Sequence, residues 1–287
     1  MLITTGVEGD ARLGMLIISY HQEHFLADAV KSVRQSFSDQ DEIVIAVLDS
    51  TAKAIENIKS LLSEIALSAH VAPFNTPPFT TVRVLHEMLP LMKSDSVVLL
   101  AADDALTGEY KSVMLDSLPN SNHPIVLNST QILTDEELKP VGYAYPRWST
   151  REWLNRLWLS FENPGKAPGS VIPRQAVLDS DFMNVDPRCL IEDFPLWLFL
   201  SDSAQFRHVS HPVVRYRQHA NSLSGKAQNA DFCWSIGYCV GLAEARATTL
   251  LERLLVRLGR RRWYRQTDPS MREAVERGRR SAAVRFG

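Results

Sequence analysis

Asp103 and Asp104 close a stretch of apolar and small residues, Ser94 to Thr107 (SDSVVLLAADDALT). Two carboxylates on a backbone kept open by small alanines suit a hard divalent cation bound together with a nucleoside diphosphate, because such a cation takes oxygen ligands. The alternative is that the pair ends a strand and caps the next helix. A second acidic pair, Glu192 and Asp193, opens the segment EDFPLWLFL. An aspartate there serves as a general base if a hydroxyl lies within hydrogen-bond reach, or as a helix N-cap if none does. Asp49, followed by Ser50 and Thr51, could likewise cap a helix, and His219 lies in the polar stretch RQHANSLSG, where a solvated histidine is the plain reading. The pairs His21/His24 and His208/His211 suggest zinc only weakly, since no companion cysteine or acid stands at metal-site spacing.

The apolar run Val97 to Leu100 predicts a fully buried strand that carries Asp103 to its C-terminal end, where open α/β sheets bind ligands. Upstream, LGMLIIS (Leu13 to Ser19) predicts a first strand, the polar turn Tyr20 to His24 follows, and Phe25 to Phe37 has helical spacing. EIVIAVL (Glu42 to Leu48) completes a βαβ unit with a parallel second strand. Ala52 to Ala69 predicts a helix, Pro73 to Pro78 a loop, and Val82 to Pro90 another helix. This alternation requires a mainly parallel sheet covered on both faces.

The pattern changes after Leu118. A short strand is expected over Pro124 to Asn128, a polar hairpin or loop over Gln131 to Val141, and an aromatic helix over Arg151 to Phe161. Asn163 to Gly169 (NPGKAPG) predicts a flexible loop leading into a strand at Ser170 to Arg174. Glu192 to Leu200 predicts a buried helix, Phe206 to Tyr216 a pair of short β segments around His211-Pro212, and Arg217 to Gly225 a polar loop. Three segments are expected: a leader over 1–12, an α/β domain over 13–225 and a basic helical extension over 226–287.

With 45% apolar and 22% charged residues and a net charge of -2, the composition is that of an ordinary globular protein and not of a nucleic-acid binder. Three cysteines with no CxxC pair argue against a disulfide framework or zinc knuckle and fit a reducing cytoplasm best. No run approaches the roughly 20 apolar residues of a spanning helix. Leu251 to Gly287 carries eleven arginines against four acids, which suggests an anionic neighbour: a membrane surface or a partner's acidic face.

Four local patterns, in this order, resemble the family 2 glycosyltransferases, inverting enzymes of the GT-A nucleotide-diphospho-sugar fold. They are LIISYHQEHFLADAVKSV with EIVIAVLDS, KSDSVVLLAADDAL, IEDFPLWL from Ile191, and VRYRQHANS from Val214. The resemblance spans about residues 13 to 225 and leaves the tail outside. It implies a donor pocket in which Asp49 holds the uracil or ribose, with Tyr20 and Glu23 alongside, and Ala102, Asp103 and Asp104 at the diphosphate. It implies Mn²⁺ or Mg²⁺ on Asp103 with His219 as a late ligand, and Arg217 as a charge partner. Asp193 becomes the general base with Glu192 beside it, and Lys166, Gly169 and Ser170 belong to the acceptor-side loop. The sequence departs from the family pattern at Ala101, where an aspartate is usual, and at Val-Leu-Asp-Ser, where two aspartates and a glycine are common.

Inverting transfer needs a neutralised leaving group, a deprotonated acceptor hydroxyl and aligned reactants. A metal on Asp103 meets the first need and Asp193 the second, and a loop containing Gly165 and Gly169 can close over the donor to exclude water and so favour transfer over hydrolysis. The expected activity is therefore transfer from a nucleotide-sugar donor, a UDP-sugar by resemblance, to a saccharide or lipid-linked saccharide in cell-surface polysaccharide synthesis. A peripheral contact at the inner membrane face through 251–287 is expected to accompany it. The alternative is a non-catalytic nucleotide-sugar-binding or scaffold protein on the same fold, which Ala101 and the Asp49 context would suit.

Overall fold

The computed structural model describes residues 13–119, 123–220 and 229–287. The expected leader, the boundary near Lys226 and most of the loop 217–225 lie outside the described residues. In chain order the elements are β1 (Leu13–Tyr20), α1 (Glu23–Ser36), β2 (Ile43–Leu48), α2 (Ala52–Glu64), β3 (His70–Phe74), α3 (Thr81–Met88), β4 (Ser96–Ala101), β5 (Ala105–Leu106) and α4 (Tyr110–Asp116). They continue with β6 (Ile125–Thr134), β7 (Pro140–Ala144), α5 (Glu152–Leu159), β8 (Ser170–Pro173), α6 (Arg174–Leu178), α7 (Asp193–Leu200) and β9 (Gln205–Arg217). Three longer helices close the chain: α8 (Ala230–Arg246), α9 (Leu250–Gln266) and α10 (Arg272–Phe286).

One sheet runs in the order β3-β2-β1-β4-β8-β6-β9-β5, with β7 beside β6. β3, β2, β1 and β4 are mutually parallel, and β8 joins β4 and β6 antiparallel. β1, β2 and β4 are buried on both faces, which is why their sequences read as unbroken apolar runs. Thr51 and Thr80 cap α2 and α3 by accepting from Ala54 N and Arg83 N.

Several expectations need correction. The helix after β2 stops at Glu64, and His70–Phe74 is a third parallel strand that includes Pro73. It pairs with β2 alone, so as an edge strand it tolerates a proline. The strand expected at Pro124 to Asn128 extends to Thr134 and forms a hairpin with β7. The two short segments around His211-Pro212 form one strand, β9, whose register against β6 breaks between Ser129 and Gln131. That irregularity accommodates a proline, which has no N–H to give the ladder.

The larger core lies on one face of the sheet and includes Trp197 of α7, Tyr238, Cys239 and Leu242 of α8, Val256 of α9 and Ala282 of α10. α8 and α10 meet backbone to backbone. A Cβ on Gly237 would lie 1.8 Å from Val275 O, and one on Gly278 would lie 1.9 Å from Trp234 O. Only glycine permits that approach.

Candidate active site

The C-terminal ends of β1 and β4 open into a cleft of about 950 Å³ lined by Tyr20, Gln22, Asp103, Asp104, Lys166, Glu192, Asp193 and His219, among others. Two acidic centres contributed about 90 residues apart in sequence therefore share one cavity.

The first centre is built at the turn after β4. Asp103 Oδ2 accepts from Gln22 Nε2 at 2.8 Å and stands 2.9 Å from His219 Nε2. Asp104 Oδ1 accepts from Arg217 N at 2.9 Å, while its Oδ2 is buried without a partner among the described residues. Neither carboxylate caps a helix, so the capping alternative fails here. Burial, and after it the neighbouring Asp103 charge, pushes the Asp104 carboxyl well above the usual carboxylate range.

The second centre opens α7. Glu192 is the cap residue but makes no side-chain cap bond, and Asp193 Oδ1 accepts from its neighbour Phe194 N at 2.8 Å. Burial and the Asp193 charge push Glu192 up to about 8, and burial raises Asp193 as well. Both shifts favour the protonated carboxyl, for Glu192 up to about 8. Lys166 feels both centres: burial lowers its ammonium, and the charges of Asp104 and Asp193 oppose that shift. Its Nζ lies 3.6 Å from the centre of the Tyr216 ring, a cation–π contact.

Other expected site residues take different places. Arg217 is buried and does not line the cleft: Nε donates to Asp103 O at 2.7 Å, an Nη to Asp28 Oδ2 at 2.8 Å, and another to Glu136 O. The expectation that it meets a diphosphate is corrected, because the protein already uses its donors. Asp49 is exposed at the end of β2 with φ 53°, and its Oδ2 stands 3.3 Å from His21 Nε2; it reaches the cleft through His21, which lines it. The Glu23 side chain lies outside the described residues. Ala102 is fully buried and does not line the cleft, whereas Ala101 does, so the expectation of Ala102 at the diphosphate is corrected.

The acceptor-side loop is pinned. Arg147 N donates to Pro164 O, Trp197 Nε1 to Gly165 O, Asn128 Nδ2 to Lys166 O and Gln131 Nε2 to Pro168 O. A Cβ on Gly165 would meet the Trp148 indole at 2.8 Å, so in this conformation the loop expected from NPGKAPG packs closely on Trp148. Gly169, at φ 69°, and Ser170 support it from behind, through Gly169 O accepting from Tyr110 Oη and Ser170 Oγ donating to Lys166 O. Gln22, Asn128 and Gln131 were missed in sequence because isolated amides carry no spacing signal.

A divalent cation fits the first centre. Asp103 Oδ2 and His219 Nε2 converge, and carboxylate and imidazole together suit Mn²⁺. Among the described residues no group of three or more His, Cys, Asp or Glu converges, so Asp103 and His219 are the two described residues that could hold such an ion.

No protein-family profile and no curated protein sequence matches this chain. Solved structures do. Residues 1–349 of S. aureus TarS in complex with UDP-GlcNAc superpose with a TM-score of 0.64 over 89% of this chain and 73% of that one, at 13% identity. The fold is GT-A. A mannosyltransferase from Pyrobaculum calidifontis, in complex with GDP-Man and Mn²⁺, superposes with a TM-score of 0.58 over 95% of this chain and 75% of that one, at 10% identity. In GT-A terms the cleft lies at the C-terminal ends of the parallel strands, the location expected for ligands in an open α/β sheet.

Proposed function

We propose that the chain is an inverting, metal-assisted glycosyltransferase that moves a sugar from a nucleoside-diphosphate donor to a hydroxyl of a saccharide or lipid-linked saccharide. One observation carries this reading: Asp103–His219 and Glu192–Asp193 face a single cleft, with Lys166 between them. UDP is the donor nucleotide the resemblance favours, and cell-surface polysaccharide synthesis the setting.

When bound, Mn²⁺ or Mg²⁺ on Asp103 and His219 supplies Lewis-acid neutralisation of the departing diphosphate. Gln22 orients Asp103 for that role. Asp193 takes the acceptor proton: its Oδ1 is steadied by Phe194 N and it lies in the Lys166 field, while burial and the Asp193 charge push the Glu192 carboxyl beside it up to about 8. The hydrogen bonds of the 163–169 segment hold Lys166 in the cleft that both groups line.

The test is release of nucleoside diphosphate from a panel of nucleotide sugars with Mn²⁺ present. Donor-specific release that Asp103→Ala abolishes supports the proposal. Donor binding that depends on Asp103 but yields no release under any acceptor would establish a binding protein instead, the reading that Ala101 favours.

A further inference from the structure

The basic C-terminal segment is not uniform once its side chains are placed. Arg260 Nη pairs with Glu244 at 2.9 Å and Arg262 Nη with Glu162 at 2.9 Å. Trp263 packs edge-on against Phe194 with ring centres 5.7 Å apart, and Tyr264 Oη donates to Glu276 at 2.5 Å. The run Arg260 to Arg265, which in sequence combines basic with interfacial aromatic residues, thus spends four of its six members on the protein itself.

What remains is one face of α9. Leu250, Leu251, Leu254 and Leu258 are 84%, 52%, 53% and 41% exposed, large fractions for leucine, and the 250/254/258 step of four puts three of them in one row. Arg253, Arg257, Arg261 and Arg265 repeat at the same step along the row's edge, and all are exposed. Among the described residues Arg257, Arg261 and Arg265 have no carboxylate partner, and the one acid of α9, Glu252, is buried in the capping box at the opposite side. The acids thus compensate inward-facing arginines and leave the leucine-bearing face purely cationic.

We propose that this face of α9 docks on an anionic lipid surface, with the leucine row entering the headgroup boundary and Arg257, Arg261 and Arg265 meeting lipid phosphates. Apolar residues on one stripe edged by unpaired arginines are what a helix lying in the plane of an anionic bilayer requires. A protein partner would have to supply acids at fixed positions along a narrow stripe, whereas lipid headgroups move to meet the charges. The inner face of the same helix ties the surface to the cleft: Trp263 lines the cavity and contacts Phe194, next to Asp193, and a Cβ on Gly259 would lie 2.4 Å from Phe161 O. Docking α9 therefore sets the cleft at a fixed position relative to the bilayer, where a lipid-linked acceptor would present its sugar.

The test is flotation of the full chain with vesicles of phosphatidylcholine containing 30% phosphatidylglycerol, against pure phosphatidylcholine, at ~50 mM and ~500 mM salt. Binding to the anionic vesicles at low salt, weakened by salt, is expected. The triple variant Arg257→Gln, Arg261→Gln, Arg265→Gln loses affinity on the order of 100-fold, at roughly fivefold per basic residue. Leu250→Ser with Leu254→Ser also loses binding, although its charge is unchanged. Because these side chains are exposed, far-UV circular dichroism should match the parent. No binding by the parent, or equal binding by either variant, overturns the proposal, as does self-association in sedimentation velocity that Leu254→Ser abolishes while vesicles remain unbound. The readout is lipid binding, so it stands or falls independently of sugar transfer.

Discussion

Lys166 lines the cleft that both acidic centres share, and burial lowers its ammonium against the opposing charges of Asp104 and Asp193. Removing the proton acceptor alone should separate the tasks: Asp193→Asn is expected to retain donor and Mn²⁺ binding by calorimetry while transfer falls at least ~100-fold. Loss of both together would show that Asp193 holds the site in shape instead. His219→Ala should weaken Mn²⁺ binding with donor present, followed by the paramagnetic broadening of donor phosphorus signals. Glu192 yields a pH prediction with a definite sign. Its carboxyl moves from 4.5 up to about 8 on folding, so between those values the folded chain keeps a proton that the unfolded chain has released. Stability therefore falls as pH rises through that window. Glu192→Gln should flatten the fall in Tm between pH 5 and pH 8, and an unchanged slope would place the titrating group elsewhere.

Among the elements, the α8–α10 pair depends most on a single residue type. Gly237→Ala puts a methyl group against Val275 O and is expected to cost ~1–3 kcal/mol in urea unfolding, with the helices forced apart. An unchanged midpoint would mean the pair can slide. Elements whose burial is two-sided were legible in sequence: β1, β2 and β4 announce themselves as apolar runs, and the βαβ order follows from them. β3 was hidden because it is an edge strand with exposed His70 and a proline, so neither alternation nor a continuous run marks it. β9 was split in reading because His211-Pro212 looks like a turn, whereas tertiary pairing carries the strand across it with a register break.

At the scale of the molecule, the sequence brought Asp103 and Asp193 into one argument, but the sheet order that makes them neighbours was not legible. β8 inserts between β4 and β6 although it follows both in the chain, and no local pattern encodes that insertion. The same holds for Arg217, which reads as a cleft residue by its position beside His219 yet serves as a strut by its depth. That strut has a consequence of its own. Its far end grips Asp28, an acid on α1 whose side chain is 47% exposed, while its near end steadies the aspartate turn two residues before His219. A perturbation at the outer surface of α1, even one as small as neutralising Asp28, would loosen the bracket on which the imidazole hangs. In the proposed metal site, Asp28→Asn would thus weaken the hold of Asp103 and His219 on a divalent ion from a position outside the cavity.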